Sequence, residues 1–391
     1  MFPVTFGPPG AGTTAVIAGT GGCLPELVLE NDDVITVGAL HTTDEWLRAR
    51  TGIARRRRAA PGTGTGALAA GAGRAALRSA AAAPGGTPSP DLVLLATTTP
   101  DHPCPASAPE VAHRLGLNGV PAFDLAAVCS GFVYALTVAT ALVRGGVCSA
   151  PLVIGADTFS SILDPADRET APLFGDGAGA VQLRRGSADE PGAVLAADLG
   201  ADGAGRDLIT VPGGGSRDPR APDDDVRRDH HFDVRRDHHF RMRGREVYAH
   251  AVRRMTASSR AVLERLGWPA DDVRAFVAHQ ANQRILDAVA DRLGIPPQRR
   301  LGNLGELGNT AAASIPLVLA DTSAHHGTEP GARTLLTAFG GGLTWGSAAL
   351  TWPACEPRIA PPEPTGNSPR SKASWLAKHS STPRIPSTGT S

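Results

Sequence analysis

The residue best suited to nucleophilic chemistry is Cys129, which follows an apolar stretch and precedes a run rich in alanine and leucine. That pattern predicts a strand that ends just before the cysteine and a helix that begins beside it. Free backbone N–H groups and the positive end of the helix dipole favour a thiolate there, so we expect a lowered pKa and a reactive thiol. The alternative is that Cys129 is a small buried residue, the usual environment of a free cysteine.

Two residues far downstream are candidate partners of this thiol. His279 closes the apolar run Phe276-Val-Ala, so we expect it at the end of a strand and the start of a helix. Asn309 lies in a Gly-Asn turn that leads into an alanine-rich run. Both also have structural interpretations, as a hydrogen-bonded core histidine and a capping asparagine. Because active sites in α/β sheets gather at the carboxyl ends of strands, we predict that these side chains lie together.

Three consecutive glycines, Gly340, Gly341 and Gly342, follow another predicted strand. Their exposed backbone N–H groups suit an oxyanion hole. The segment lacks the lysine and hydroxyl residues of a phosphate-binding loop. The glycines of 175–179 also lack the strand and helix context of a dinucleotide site, so we interpret them as a tight structural turn.

The elements that must position these residues are short apolar runs that alternate with alanine-rich runs. Strands are predicted over 91–98, 151–156, 274–279 and 333–340, and helices over 68–83, 107–115, 131–144, 244–266 and 283–293. The alternation, with nearly continuous apolar strands, indicates a layered α/β fold with buried sheets. The long apolar run 123–143 is interpreted as a strand and a helix rather than a membrane span, because it contains Asp124 and Ser130.

The composition excludes several classes of protein. The 38 Lys+Arg balance the 38 Asp+Glu, so the overall charge expected of a nucleic-acid or membrane-surface binder is missing. The five cysteines are widely spaced without a CxxC pair, which fits neither a disulfide framework nor a zinc site. We therefore expect a cytoplasmic protein that holds no metal and binds neither nucleic acid nor membrane.

Three segments look like additions to a compact body. Residues 1–13 are predicted to form a flexible N-terminal extension, and the Pro-, Ser- and Thr-rich residues 354–391 a disordered tail. Within 213–240, the octapeptide 225–232 is repeated without change as 233–240. We interpret it as a local duplication in a solvated surface loop, in preference to a metal site built from its four histidines.

Taken together, the ordered motifs resemble those of β-ketoacyl-acyl-carrier-protein synthase III, a condensing enzyme of the thiolase superfamily. The motifs are 42–53, the Cys129 segment, 164–168 with 174–179, 279–282, 308–310 and 339–346. The resemblance implies a five-layer αβαβα sandwich of two similar halves that forms a homodimer. Residues 14–186 would carry the nucleophile, and residues 187–353 the histidine and the asparagine.

The resemblance also implies a reaction. Cys129 would take an acyl group from acyl-CoA, with the N–H groups of Cys129 and Gly341 as the oxyanion hole. His279 and Asn309 would then bind the thioester carbonyl of malonyl-acyl carrier protein while CO₂ leaves. The resulting decarboxylative Claisen condensation would start fatty-acid or polyketide chains. No cofactor is implied, because the CoA thioester is a substrate.

Further roles follow from the same resemblance. The residues it assigns to substrate and CoA binding are Thr42, Trp46, Arg50, Arg168, Asn282 and Phe339. Arg284 would contact the acidic carrier protein. For the three arginines, the alternative is an ordinary solvated surface residue.

One departure from the family bears on the substrate. Many relatives carry an aromatic residue at the position of Cys104, where it reaches across the dimer to close the acyl pocket, so we expect a roomier pocket here. Two other functions remain open, namely acyl transfer to a hydroxyl, an amine or a carrier protein without condensation, and a silent binding subunit. The intact set of Cys129, His279 and Asn309 argues against the silent subunit.

Overall fold

The computed structural model describes residues 4–6, 12–82, 86–219, 238–324 and 327–362, together with Lys372 and Leu376. The first copy of the octapeptide, most of the second copy and most of the tail lie outside the described residues. Predictions about those segments therefore stay predictions.

The described residues form strands and helices in alternation. The strands are β1 Val4–Phe6, β2 Thr13–Cys23, β3 Leu27–Glu30, β4 Arg55–Arg58, β5 Leu92–Ala96, β6 Ala122–Leu125, β7 Pro151–Asp157, β8 Gly177–Ser187, β9 Val194–Ala201, β10 Ile209–Thr210, β11 Arg241–Met242, β12 Ala275–Ala278, β13 Arg333–Gly340, β14 Thr344–Thr351 and β15 Arg358–Ala360. The α-helices are α1 Asn31–Gly38, α2 Asp44–Thr51, α3 Thr65–Ala81, α4 Ala108–Arg114, α5 Gly131–Arg144, α6 Gly244–Leu266, α7 Gln283–Leu293, α8 Leu304–Leu307 and α9 Ser314–Ala320.

Two large sheets divide the molecule into layers. One has the strand order β15-β2-β8-β7-β5-β6, and the other has the order β1-β9-β14-β13-β12. A core cluster joins strands of both sheets to α5 and α9, which places these helices between the sheets. Other clusters pack α3 and α4 on the first sheet and α6 and α7 on the second. This order gives the predicted αβαβα sandwich.

The sequence of each helix explains its layer. Helix α5 is apolar on most of its surface and mostly buried, as a central helix must be. Helix α7 buries only one stripe, including Ile285, Val289 and Leu293, and covers the outer face of a sheet. Helix α3 is rich in alanine and lies very close to β2. A Cβ atom added at Gly21 would come within 2.2 Å of the Ala76 backbone nitrogen.

The chain termini depart from the predictions. Val4–Phe6, placed in a flexible extension, pairs antiparallel with β9 of the second sheet. Arg358–Ala360, placed in a disordered tail, pairs in parallel with β2 of the first sheet. Both predictions are wrong for these residues, because the open edges of β9 and β2 offer unpaired backbone groups. Farther along the tail, Lys372 pairs with Asp33 at 2.5 Å and Leu376 packs against the cluster beneath α1.

Candidate active site

Cys129 lies in a tight turn at the start of α5. It is the middle residue of the 3₁₀ turn Val128–Ser130, and α5 begins two residues later at Gly131. Val128 has φ of 47°, a left-handed conformation that is strained for a β-branched residue. The Ser130 hydroxyl donates to the Ala127 carbonyl at 2.8 Å and holds the turn closed. The cysteine therefore lies at a helix N-terminus, as predicted.

The electrostatics of the thiol differ from the prediction. Burial raises the pKa of the Cys129 thiol well above its ordinary range, and the nearby Asp157 carboxylate raises it further. The helix N-terminus favours the thiolate, but the loss of hydration outweighs it. The prediction of a lowered pKa is therefore wrong for the ligand-free protein, in which the nucleophile is a neutral thiol at neutral pH.

His279 directly follows β12 and is buried. Its backbone N–H donates to the Thr337 carbonyl on β13, and its Nδ1 atom lies 2.7 Å from the Ser314 hydroxyl. Burial lowers the pKa of His279 to about 3, so the imidazole is neutral at physiological pH. When the Ser314 hydroxyl donates to Nδ1, the proton of the ring is on Nε2, which then faces a ligand as a donor. Helix α7 begins at Gln283, as predicted, so His279 lies at the end of a strand but four residues before the helix rather than at its start.

Asn309 is fixed through both its backbone and its side chain. Its N–H donates to the Leu173 carbonyl at 2.9 Å, and its carbonyl accepts from Gly175 at 3.0 Å. Its Oδ1 accepts from the backbone N–H of Ala311 at 2.9 Å, which leaves the Nδ2 amide to donate elsewhere. The alanines that follow form a 3₁₀ turn ahead of α9 rather than the start of a regular helix.

The structure brings these segments together. Cys129 packs against an apolar cluster that contains Phe174 and Ala311, the neighbours of the Asn309 backbone. His279 contacts Ser314, five residues after Asn309. Gly340 lies against the nucleophile turn, because a Cβ atom added there would be 2.8 Å from the Cys129 nitrogen. These contacts bring the Cys129 turn next to Gly340 and the Asn309 segment, and they join His279 to the segment that follows Asn309.

Two hydroxyl residues join the nucleophile turn to the glycine loop. The Thr344 hydroxyl lies 2.9 Å from the Gly341 carbonyl and 3.1 Å from the Ala127 carbonyl. The Ser130 hydroxyl lies 2.8 Å from the Thr344 hydroxyl. Sequence reasoning missed Ser130, Thr344 and Ser314, although each lies within five residues of a residue that it singled out.

An aromatic cluster lies beside the nucleophile. The rings of Phe159 and Phe174 are stacked with centroids 4.1 Å apart, and Phe240 meets both edge-on. Cys129 is at the edge of this cluster. Phe240 is the last residue of the duplicated octapeptide and is only 4% exposed. The interpretation of the duplication as a solvated loop is therefore wrong at its end, because the ring gains an apolar environment.

A second face of the site lies on α2. Trp46 is 43% exposed, and the Arg168 guanidinium is 5.1 Å from the centroid of its ring. The Thr42 hydroxyl is buried without a hydrogen-bond partner among the described residues. The Arg50 carbonyl accepts from the Asn282 amide at 3.4 Å, and Asn282 caps α7 through the Arg284 N–H. The predicted CoA residues Trp46, Arg50, Arg168 and Asn282 thus lie on or beside α2, with the Thr42 hydroxyl buried just before that helix.

Comparison with known proteins identifies the family. The family model of the 3-oxoacyl-[acyl-carrier-protein] synthase III C-terminal domain matches residues 263–352, and that of 3-oxoacyl-[acyl-carrier-protein] synthase III matches residues 123–203. A β-ketoacyl-[acyl-carrier-protein] synthase III of Streptomyces coelicolor is 53% identical over 88% of this chain and 95% of its own. The chain belongs to the 3-oxoacyl-[acyl-carrier-protein] synthase III family.

Solved structures agree with this assignment. The synthase III of Pseudomonas aeruginosa superposes with a TM-score of 0.77 at 46% identity, covering 88% of this chain and all of that one. A priming β-ketosynthase from a polyketide biosynthetic pathway superposes with a TM-score of 0.75 at 33% identity, covering 87% and 96%. The α/β sandwich of this synthase III is therefore the thiolase fold, and the chain is a condensing, acyl-transferring enzyme.

The remaining predicted residues of the synthase III are placed as follows. Cys104 and Arg284 are exposed. Phe339 is 4% exposed in the cluster beneath α6 and α7, so its observed role is packing. Among the described residues, no group of acidic, histidine or cysteine side chains is arranged to hold a metal, and no helix is long and apolar enough to cross a bilayer. His230 and His231 lie outside that part of the chain.

Proposed function

We propose that this synthase III condenses an acyl-CoA starter with malonyl-acyl carrier protein through an acyl-Cys129 intermediate. The observations that support this most are the packing of the Cys129 turn against the Asn309 segment and Gly340, and the bond of the neutral His279 imidazole to Ser314 beyond Asn309. The names of the relatives favour condensation over acyl transfer without condensation, because they are β-ketoacyl synthases.

In the first half-reaction, the Cys129 sulfur attacks the thioester carbonyl of acyl-CoA and gives up its proton as the C–S bond forms. The negative oxygen accepts hydrogen bonds from the backbone N–H groups of Cys129 and Gly341. The bond to the CoA sulfur then breaks, and CoA leaves as the thiol. Because the resting thiol is neutral, the helix N-terminus acts on the charge that develops in the transition state.

In the second half-reaction, His279 and Asn309 donate hydrogen bonds to the thioester carbonyl of malonyl-acyl carrier protein. The bond to the carboxylate breaks, CO₂ leaves, and the electron pair forms an enolate on that thioester. The enolate carbon attacks the acyl-Cys129 carbonyl, and the cysteine leaves as the 3-oxoacyl product forms. A buried neutral imidazole is suited to this role, because it donates a hydrogen bond without transferring its proton.

In this proposal, the residues on and beside α2 bind the CoA part of the acyl-CoA starter. The adenine would enter between Trp46 and Arg168, with Thr42 and Arg50 beside it. A base between two flat groups needs about 3.5 Å on each side, so the 5.1 Å separation must widen on binding. The unpartnered Thr42 hydroxyl gains a hydrogen bond in that complex. The CoA thioester is a substrate, and the proposal includes no cofactor.

The partners are also part of the proposal. Arg284 is exposed in the first turn of α7 and provides a positive contact for an acidic carrier protein, which would be steered to it by charge. The synthase III would work as a homodimer in the cytoplasm, with Cys104 of one protomer facing the acyl pocket of the other.

Mass spectrometry of the carrier protein tests the function. Wild type is expected to form 3-oxoacyl-carrier protein and one CO₂ per product when given malonyl-carrier protein and a panel of acyl-CoAs. Cys129→Ala should form no product, and Cys148→Ala, which changes another buried cysteine, should keep it. Acylation of Cys129 without any 3-oxoacyl product would contradict condensation and support plain acyl transfer.

A further inference from the structure

Asp157 is a buried carboxylate at the end of β7 that the proposed reaction does not use. Its Oδ1 accepts from the backbone N–H of Thr98 at 2.7 Å and of Thr99 at 3.2 Å, and from the Thr99 hydroxyl at 3.1 Å. The Thr97 hydroxyl completes this set at 3.3 Å. The Oδ1 atom therefore accepts hydrogen bonds from all three residues of 97–99, the segment that follows β5.

The other oxygen reaches the second half of the molecule. Oδ2 accepts from the backbone N–H of Ala312 at 3.0 Å. Ala312 is in the 3₁₀ turn whose first residue, Ala311, binds the Asn309 side chain. A Cβ atom added at Gly155 would lie 2.3 Å from the Ala312 carbonyl, so the end of β7 also supports this turn directly.

Asp157 therefore bridges the two halves at the site. Gly131, the first residue of α5, lies against the end of β5, since a Cβ atom there would be 3.0 Å from the Ala96 Cβ. We propose that Asp157 is a positioning residue that sets the Asn309 turn in register with the nucleophile half, so that it governs decarboxylation and condensation more than acylation. The proposal rests on the function proposed above.

The charge of Asp157 provides an independent signature. Burial raises the pKa of Asp157 to about 6, which still leaves it mostly ionised at neutral pH. Its charge is the second cause, after burial, of the raised pKa of Cys129. The other titratable group of the site, His279, is neutral over this range. Removing the Asp157 charge should therefore make Cys129 easier to ionise.

Asp157→Asn separates these effects, because asparagine has the same shape but only one acceptor oxygen. That oxygen is expected to stay with the four donors of 97–99, which places the amide N–H₂ against the Ala312 N–H, donor against donor. The Asn309 turn then loses its anchor. Misplacement of a catalytic group on this scale costs roughly 10- to 100-fold in rate.

The experiment measures three quantities in the full chain: acylation of Cys129 by acyl-CoA, condensation with malonyl-carrier protein, and the pH dependence of iodoacetamide alkylation at Cys129. Asp157→Asn should keep acylation within about threefold while condensation falls roughly 10- to 100-fold, and its alkylation profile should move to lower pH. Asp198→Asn, a buried carboxylate on β9 that binds Ser258, is the matched control and should change none of the three.

The outcomes are distinct. Condensation at the wild-type rate, or an equal loss of acylation and condensation with no shift in the alkylation profile, would overturn the proposal. Should Asp157→Asn not fold, Thr97→Val removes one donor to the same oxygen at almost constant volume. It should lower condensation about two- to fivefold with acylation unchanged, and a loss equal in both would count against Asp157. If the wild type itself forms no 3-oxoacyl product, the proposed function fails, whereas the alkylation comparison still tests Asp157.

Discussion

At the scale of single residues, the site combines two groups that burial keeps neutral, the Cys129 thiol and the His279 imidazole. The raised pKa of Cys129 means that the thiolate forms only as the pH rises above the ordinary thiol value of 9.0. The rate of iodoacetamide alkylation at Cys129 should therefore still rise at about pH 11, where the rate for a free peptide thiol measured in parallel has levelled off. A plateau near pH 7 would show that the thiolate is already stabilised at rest.

The imidazole of His279 gives a second prediction. Ser314→Ala removes the hydroxyl that faces Nδ1, so the tautomer with the proton on Nε2 is no longer selected. We expect condensation to fall roughly tenfold with acylation of Cys129 nearly unchanged. The matched control is Ser259→Ala, which removes a buried hydroxyl that is bonded to Ser347 and not to the imidazole. Equal losses in both variants would assign Ser314 a purely structural role.

The starter preference is a third prediction at this scale. If Cys104 faces the acyl pocket of the partner subunit, Cys104→Phe narrows that pocket. The ratio of the rates with isobutyryl-CoA and acetyl-CoA should then fall roughly tenfold, as expected when a side chain fills space needed by one or two methyl groups. Cys104→Ala keeps the pocket open and should leave the ratio as in wild type. An unchanged ratio in Cys104→Phe would place this residue away from the pocket.

Sequence patterns identified the candidate side chains of the site but did not predict their pKa values. Residue type and motif order were enough to single out Cys129, His279 and Asn309 as candidates. The pKa of the thiol was predicted in the wrong direction, because burial depends on neighbours such as Phe159 and Phe174 that are distant in the chain. Asp157 had no signal in the sequence, since a single aspartate after an apolar strand is common.

At the scale of elements, the long helices were the most predictable part. Gly131–Arg144, Gly244–Leu266 and Gln283–Leu293 begin and end as predicted, because their apolar periodicity is strong. The catalytic turns were not predictable. Val128 and Ala311 adopt left-handed backbone conformations that neither side chain favours and that only the surrounding packing imposes.

The contact between β13 and the nucleophile turn leads to a prediction for Gly340. Gly340→Ala places a methyl group 2.8 Å from the Cys129 nitrogen and 3.0 Å from the Ser130 nitrogen, and both are backbone atoms that cannot move aside cheaply. Acylation of Cys129 should fall at least roughly 100-fold as the turn and its oxyanion hole are displaced. Gly203→Ala, where a Cβ atom meets no neighbour within 4 Å, is the matched control. An active Gly340→Ala variant would show that the turn tolerates displacement.

At the scale of the whole molecule, the sequence predicts the layers but not the terminal strands β1 and β15, which complete the two sheets. The alternating pattern predicted a layered α/β fold and the family resemblance implied the sandwich, whereas composition predicted a flexible N-terminal extension and a disordered tail. Averaged over 354–391, the Pro, Ser and Thr content concealed the short run Arg358-Ile-Ala that completes the first sheet.

Truncation tests how much this strand contributes. A chain that ends after Pro357 loses β15 and exposes the edge of β2, and we expect about 2 kcal/mol less free energy of unfolding. A chain that ends after Pro362 keeps β15 and should unfold within about 1 kcal/mol of the full protein, because the described contacts that it loses are the partly exposed Lys372–Asp33 pair and the packing of the partly buried Leu376. Chemical denaturation compares the three proteins. Equal stability of the two truncated chains would show that β15 contributes little.

An early strand, β1, belongs to the second sheet, and a late strand, β15, belongs to the first. This exchange affects the order in which the sheets are completed during translation. Val4–Phe6 is synthesised before its partner β9, and the first sheet waits for Arg358–Ala360 after the strands of the second sheet have been made. Neither sheet can be finished from its own contiguous stretch of chain. The edge of β2 therefore stays unpaired until β15 has been made, and an unpaired strand edge in an incomplete chain is a place where other chains can pair.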